Sequence, residues 1–178
     1  MSEQRIGSEL ESVQVREVHA QDAERFLGMC HSLDAETDFM LMERGERQTG
    51  IDEQKSTIER ILSAPNQTML MAEHLGVPVG FVVAIGGAFR RNCHCATVVI
   101  GIKQSWWGQG IGGRLLDAVE RWAADNAVHR LELTVMSRNR RALSLYNRMG
   151  FAVEGERRES LYVNEAYVNE YYMAKLIV

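Results

Sequence analysis

The sequence predicts an α/β fold, α+β in character with a mixed sheet, on three observations. Short apolar runs, Met69-Leu70-Met71-Ala72 and Val79-Gly80-Phe81-Val82-Val83-Ala84, flank a Leu75-Gly76 turn as the arms of a hairpin do. Segments whose apolar residues recur at helical spacing lie between runs of this kind. One strand, ending at Ile102, empties through a glycine cluster into a helix. Because hairpins place neighbours antiparallel, the sheet is mixed rather than wholly parallel.

In chain order, Val13-Gln14-Val15-Arg16-Glu17-Val18 alternates as a half-buried strand. Ala23, Phe26, Leu27, Cys30 and Leu33 share one helical face, with Asp22 placed to cap it. Leu33 to Gly50 has no period and reads as a connection of the kind that lines pockets. Ile58, Ile61 and Leu62 mark a second helix, stopped by Ala64-Pro65-Asn66. After the hairpin, Gly86-Gly87 and Arg90-Arg91-Asn92 turn the chain into the strand ending at Ile102. A helix from Arg114 buries Leu115, Leu116, Val119, Trp122 and Ala123, and Leu131 to Val135 alternates as a strand. Arg140 to Met149 is a short helix stopped by Gly150. Glu159 to Val178 holds two more strands around Asn164-Glu165-Ala166, and the echo Tyr162-Val163-Asn164-Glu165, Tyr167-Val168-Asn169-Glu170 is too short for an architectural repeat.

The 178 residues, 46% hydrophobic and 25% charged, suit one globular domain over residues 13–178 behind a flexible tail at 1–12. A net charge of -4 argues against a nucleic-acid binder, whose affinity comes from neutralising phosphates. No apolar run approaches a membrane span, and Met1 to Ser12 lacks the layout of a signal peptide. Three cysteines without a disulfide framework fit a reducing cytoplasm.

The chemistry centres on Val98 to Ala124. A helix N-terminus opened by glycines is a phosphate cradle, since its first amides have no partner and carry the positive end of the dipole. Gly108-Gln109-Gly110-Ile111-Gly112-Gly113 also matches the dinucleotide fingerprint G-x-G-x-x-G. That reading fits poorly: Lys103 to Trp107 separates strand from glycines, and the nearest acid, Glu132, lies inside a strand. No Gly-Lys-Ser/Thr is present for a P-loop.

From Val98 to Phe151 the chain resembles the GNAT superfamily of acyl-CoA-dependent N-acetyltransferases. The resemblance rests on the turn Trp107-Gly108-Gln109-Gly110-Ile111-Gly112, the strand Leu131 to Met136 with Ser137-Arg138-Asn139, and Ala142-Leu143-Ser144-Leu145-Tyr146 before Gly150-Phe151. Trp107 stands where the family pattern has Gln or Arg, which leaves backbone amides as the main pyrophosphate ligands. The resemblance implies a central, mostly antiparallel sheet of about seven strands flanked by helices, covering nearly the whole chain. It implies acetyl-CoA as cofactor, with backbone groups of Ile100, Gly101 and Ile102 on the pantetheine arm. Amides from Gln109 through Gly110, Gly112 and Gly113 to Arg114 would take the pyrophosphate. It makes Tyr146 the acid that protonates the departing sulfur, and gives Asn139, otherwise a helix N-cap, a contact to the cofactor arm.

The strand Ala96 to Ile102 lacks the glutamate that family members often carry as base, which leaves His94, Glu36, Glu43 and Glu170 as candidates. The acids of Leu33 to Gly50, Glu36 and Glu43 among them, suggest a small cationic acceptor such as an amino acid or polyamine. A protein or peptide N-terminus, and a non-catalytic acyl-CoA-binding module, are the alternatives. Cys93-His94-Cys95 resembles half a metal site but lacks a second ligand pair, so no metal is expected. Trp106-Trp107 can stack adenine or simply pack beneath the loop. The expected partners are a small amine, neither nucleic acid nor membrane, and a second copy of the chain, since dimers are common in the resembled family. Coenzyme A should raise the melting temperature where NADH does not, because only a ligand of the native state stabilises it. The reverse result would restore the dinucleotide reading.

Overall fold

Seven strands and four helices follow the apolar pattern of the chain in the computed structural model, which describes residues 13–178. The tail expected at residues 1–12 lies outside the described residues. The chain runs β1 (Val13–Glu17), α1 (Ala23–Glu36), α2 (Ile51–Leu62), β2 (Thr68–His74), β3 (Val77–Gly86) and β4 (Cys95–Ile102). It continues as α3 (Ile111–Asp125), β5 (Arg130–Met136), α4 (Arg140–Arg148), β6 (Ala152–Val163) and β7 (Ala166–Leu176). One sheet holds them in the order β1-β2-β3-β4-β5-β7-β6, antiparallel throughout except for β4 beside β5. The mixed, mostly antiparallel sheet expected from the sequence is the one observed.

Strand alternation divides the core into two layers. Leu70 and Ala72 of β2 pack with α3 residues Leu115, Leu116 and Val119 on one face. Met69 and Met71 pack with Phe26, Met29 and Leu33 of α1 and Ile58 of α2 on the other. Two-sided burial explains why β2 and β3 read as continuous apolar runs. Leu75 and Gly76 both take positive φ, 48° and 78°, as do Asn164 and Glu165, at 51° and 62°. Two residues in that region make the hairpin turn whose twist matches its strands.

Three expectations change. Helix α3 begins at Ile111, so Gly112 and Gly113 lie within its first turn rather than ahead of it. Strand β6 begins at Ala152, before the expected Glu159. It is an edge strand exposed along most of its length, so no apolar alternation betrays it. Asp22 makes no side-chain cap to α1. It is buried, accepts from the His19 amide at 2.8 Å, and pairs with Arg16 and Arg25.

Hydrogen bonds from Arg16 hold the Asp22 carboxyl well below the usual carboxylate range. A depressed folded pKa contributes stability that is present above the unfolded value, about 3.9, and is lost as pH falls. Asp22→Asn should therefore cost about 3 kcal/mol at pH 7, with the gap to wild type closing below about pH 4. Urea titrations at both pH values check this, and equal stability at pH 7 would remove Asp22 as an anchor of β1 and α1.

Candidate functional site

The parallel ladder between β4 and β5 is short: Cys95 faces Arg130, Ala96 faces Leu131 and Thr97 faces Glu132. Beyond it β4 stays with β3 as far as Ile102–Gly80, while β5 stays with β7 as far as Met136–Glu170. The two strands therefore part, and a wedge opens inside the sheet. In an antiparallel pair alternate residues turn their backbone groups toward the partner. The bonds Lys103 N–H to Val79 C=O (2.9 Å) and Gly87 N–H to Cys95 C=O (3.0 Å) assign the odd-numbered residues of β4 to β3. Ile100 and Ile102 consequently face the wedge. Gly101, expected beside them, directs its backbone to Phe81 instead. The Ile102 carbonyl accepts from Trp107 Nε1 at 2.7 Å, which leaves the Ile102 amide facing the wedge.

The N-terminus of α3 closes the wide end of this arrangement. Gly110 is its N-cap at φ 79°, in the left-handed region that glycine enters without penalty. The first intrahelical bond runs from the Arg114 amide to the Gly110 carbonyl at 3.2 Å. Ile111, Gly112 and Gly113 are thus the first-turn donors left without a helical acceptor. Arg114, expected as a further amide ligand, is engaged within the helix, and its guanidinium donates to the Val13 carbonyl at 2.6 Å. Gln109 Nε2 donates to the Ser105 carbonyl at 3.0 Å, bracing the loop. A Cβ on Gly112 would fall 2.6 Å from Leu145 Cδ2 and 3.2 Å from Ile102 Cδ1, so its absence seats α3 against α4 and β4. At Gly113 a Cβ would meet nothing nearer than Met149 Sδ at 3.9 Å. Both indoles of the loop are held by the fold. Trp106 packs 4.8 Å from the His74 ring, and the Arg141 guanidinium lies 4.2 Å from the Trp107 ring.

The wedge holds a cavity of about 320 Å³ that reaches both faces of the sheet. On the α3–α4 side its walls include Asn139, Ala142, Leu145 and Tyr146. On the α1 side they include Leu33, the segment Phe39-Met40-Leu41, Leu161 and Glu170. Asn139 Oδ1 caps α4 by accepting from the Ala142 amide at 3.1 Å, which leaves its Nδ2 to donate. Tyr146 is 6% exposed, and burial pushes its hydroxyl pKa well above the ordinary value. Among the described residues no group hydrogen-bonds that hydroxyl, although the ring packs 5.8 Å from Phe151.

The other candidates separate clearly. Glu36 Oε2 accepts from the Gln104 amide at 2.8 Å, and Glu43 is exposed with its amide on Glu46. Both line a depression adjoining the cavity rather than the cavity itself. Asp34 is buried against Arg47, and Asp38 accepts from Asn164 Nδ2 at 2.7 Å. The acids that suggested a small cationic acceptor are thus largely engaged with the protein. His94 precedes β4, at the end opposite Ile102, and does not line the cavity. Among the described residues no group of three or more His, Cys, Asp or Glu is placed to hold a metal. Of the four acid or base candidates only Glu170 lines the cavity, 7% exposed, accepting on Oε2 from Arg157 Nη1 at 3.0 Å and Ser160 Oγ at 2.9 Å. The available signal was an acid flanked in sequence by Val168 and the Tyr171-Tyr172-Met173 run, at a position where strand alternation turns inward.

A splayed parallel pair with a glycine-opened helix N-terminus beside it defines the acyl-CoA-binding class of transferase. The sequence model of the acetyltransferase (GNAT) family matches residues 29–151. The L-amino acid N-acetyltransferase AaaT of Escherichia coli (strain K12) is 30% identical over 122 residues, 66% of this chain and 74% of that protein. A GNAT-family acetyltransferase from Streptococcus pneumoniae superposes with TM-score 0.90 at 30% identity, over 93% of this chain and 99% of that one. The yncA structure from Salmonella typhimurium, which carries its cofactor acetyl-CoA, superposes with TM-score 0.83 at 15% identity, over 94% and 95% of the two chains. The chain belongs to the GNAT acetyltransferase family. It is an acetyl-CoA-dependent N-acetyltransferase.

Gly112→Ala should destabilise the fold by about 2 kcal/mol through overpacking and weaken CoA binding. Gly113→Ala should be neutral or stabilising by up to about 1 kcal/mol. Denaturant midpoints for the pair check this, and similar values would mean that Gly112 does not set the α3–α4 contact.

Proposed function

We propose that the acceptor is a small primary amine, an amino acid, which meets the acyl donor inside the cavity from the opposite face of the sheet. The cavity carries this reading, because its lining comes from different elements on the two faces of the sheet. On the α1 side the Asp38–Asn164 hydrogen bond ties the connection after α1 to the β6–β7 turn, narrowing the approach against a folded polypeptide. The engaged acids after α1 favour an amino acid over a polyamine. Similarity to a protein named as an L-amino acid N-acetyltransferase supports the same choice.

The residues of the α3–α4 side fit the donor. The amides of Ile111, Gly112 and Gly113 would hold its pyrophosphate at the positive end of the helix dipole, with the glycines admitting close approach. The open edge at Ile100 and Ile102 would pair with the pantetheine arm, and Asn139 Nδ2 would donate to it. When bound, acetyl-CoA supplies an acyl group already activated as a thioester. Tyr146 keeps its proton through the neutral range because burial opposes the phenolate, so it serves as donor to a departing sulfur. Val135, Ala142 and Leu145 give the same wall an apolar surface.

Tyr146→Phe should keep the melting temperature within about 1 °C, since the hydroxyl bonds to no described residue, while lowering kcat about 100-fold. Free-thiol release with a panel of amines checks both statements. Turnover of amino acids with little turnover of polyamines is expected. Near-normal turnover in the variant would remove the acid role, and failure of every small amine would move the acceptor to proteins.

A further inference from the structure

We infer that Glu170 receives the ammonium group of the acceptor and takes its proton, and that a bulge in β6 holds it in position. The inference rests on the small-amine reading above. Along β7, Tyr171 and Met173 pack with the α3–α4 layer, so alternation turns Glu170 to the α1 face, opposite Tyr146. Its register partner is Met136, in the last pair before β5 leaves β7, where the wedge is widest. The carboxylate is 7% exposed and lines the cavity. Arg157 and Ser160 both donate to Oε2, and Oε1 has no partner among the described residues. Oε1 keeps accessible surface, unlike the buried unpartnered oxygens of Gln67 and Thr68, so a donor entering the cavity that Glu170 lines can reach it.

The positioning is built into β6. Arg157 pairs with Glu170 and Leu161 with Val168, with a register shift between them and Glu159 at φ 54°. Asn169 clamps that bulge, accepting from the Glu159 amide and donating to Glu156 Oε1, both at 2.9 Å. The bulge presents Ser160 Oγ to Glu170. Arg157 is held in turn over the Tyr172 ring at 5.5 Å. Ser160 and Arg157 are therefore positioning residues, and Glu170 is the group that touches the acceptor.

Glu170 removes one proton from the ammonium group and later releases it to solvent. The neutral nitrogen forms the C–N bond to the acetyl carbon as the C–S bond breaks. Tyr146 gives its proton to sulfur and is reprotonated by the second proton lost from nitrogen. The products are the N-acetyl amine, the free thiol and one proton.

The test compares an amino acid with its β-trifluorinated analogue, whose amine is largely neutral at pH 7. Glu170→Gln should lower kcat/KM about 100-fold for the parent and no more than about threefold for the analogue. Ser160→Ala and Arg157→Ala should shift the same ratio in the same direction, with Arg157→Lys recovering much of it. By calorimetry, the amino acid should bind the enzyme–CoA complex about tenfold more weakly in Glu170→Gln, with CoA affinity itself unchanged. Equal losses for both acceptors, or no loss, would overturn the role of Glu170 while leaving the small-amine reading intact. Wild-type enzyme that acetylates no amino acid would overturn that reading, and this inference with it.

Discussion

The brevity of the parallel pairing between β4 and β5 is the constraint on which the site depends. Three facing pairs join the strands at one end, and each is then held by its other neighbour. An unpaired strand edge inside a protein is costly, because backbone donors and acceptors lose water without gaining partners. The fold meets part of that demand itself. Trp107 takes the Ile102 carbonyl, and the Asn139 amide takes the Met136 carbonyl. What remains along Ile100 and the Ile102 amide is a strand-shaped set of unsatisfied groups, which an extended amide-bearing arm can pair with.

The same split makes the sheet a partition between unlike environments. The α3–α4 side offers helix-terminal amides, an Asn amide and a buried phenol, all of them hydrogen-bond donors. The α1 side offers one carboxylate among Leu33, Met40 and Leu161. Under the proposed function, an anionic donor and a cationic acceptor would approach one cavity from opposite faces of the sheet. Leu145 of α4 packs onto the bare backbone at Gly112 of α3, where a Cβ would force that side chain to shift.

Much of this was legible from local pattern. The β2–β3 hairpin, the faces of α1 and α3, the capping role of Asn139 and the stop at Gly150 each follow from residues within a few positions of one another. The edge strand β6 was half hidden, since Glu154 to Glu159 carry charge on both faces and bury almost nothing. The echo Tyr-Val-Asn-Glu looked like one signal but fills two roles. Asn164-Glu165 turns the hairpin, whereas Asn169 clamps a bulge and Glu170 faces the cavity.

The sequence by itself determined the elements, the mixed sheet, and the strand–glycine–helix unit that identifies the cofactor class. Those features depend on periodicity and on backbone freedom at single residues, which are local properties. Tertiary structure alone decided which strand amides remain available, withdrawing Gly101, whose backbone pairs with Phe81, and leaving the Ile102 amide. It also brought Glu170 to within one cavity of Tyr146 from the far side of the sheet, while His94, next to the signature strand in sequence, was left at its wrong end. The reason is physical: a hydrogen-bonding group is free only relative to every neighbour, and strand register and layer packing assign those neighbours across the whole chain.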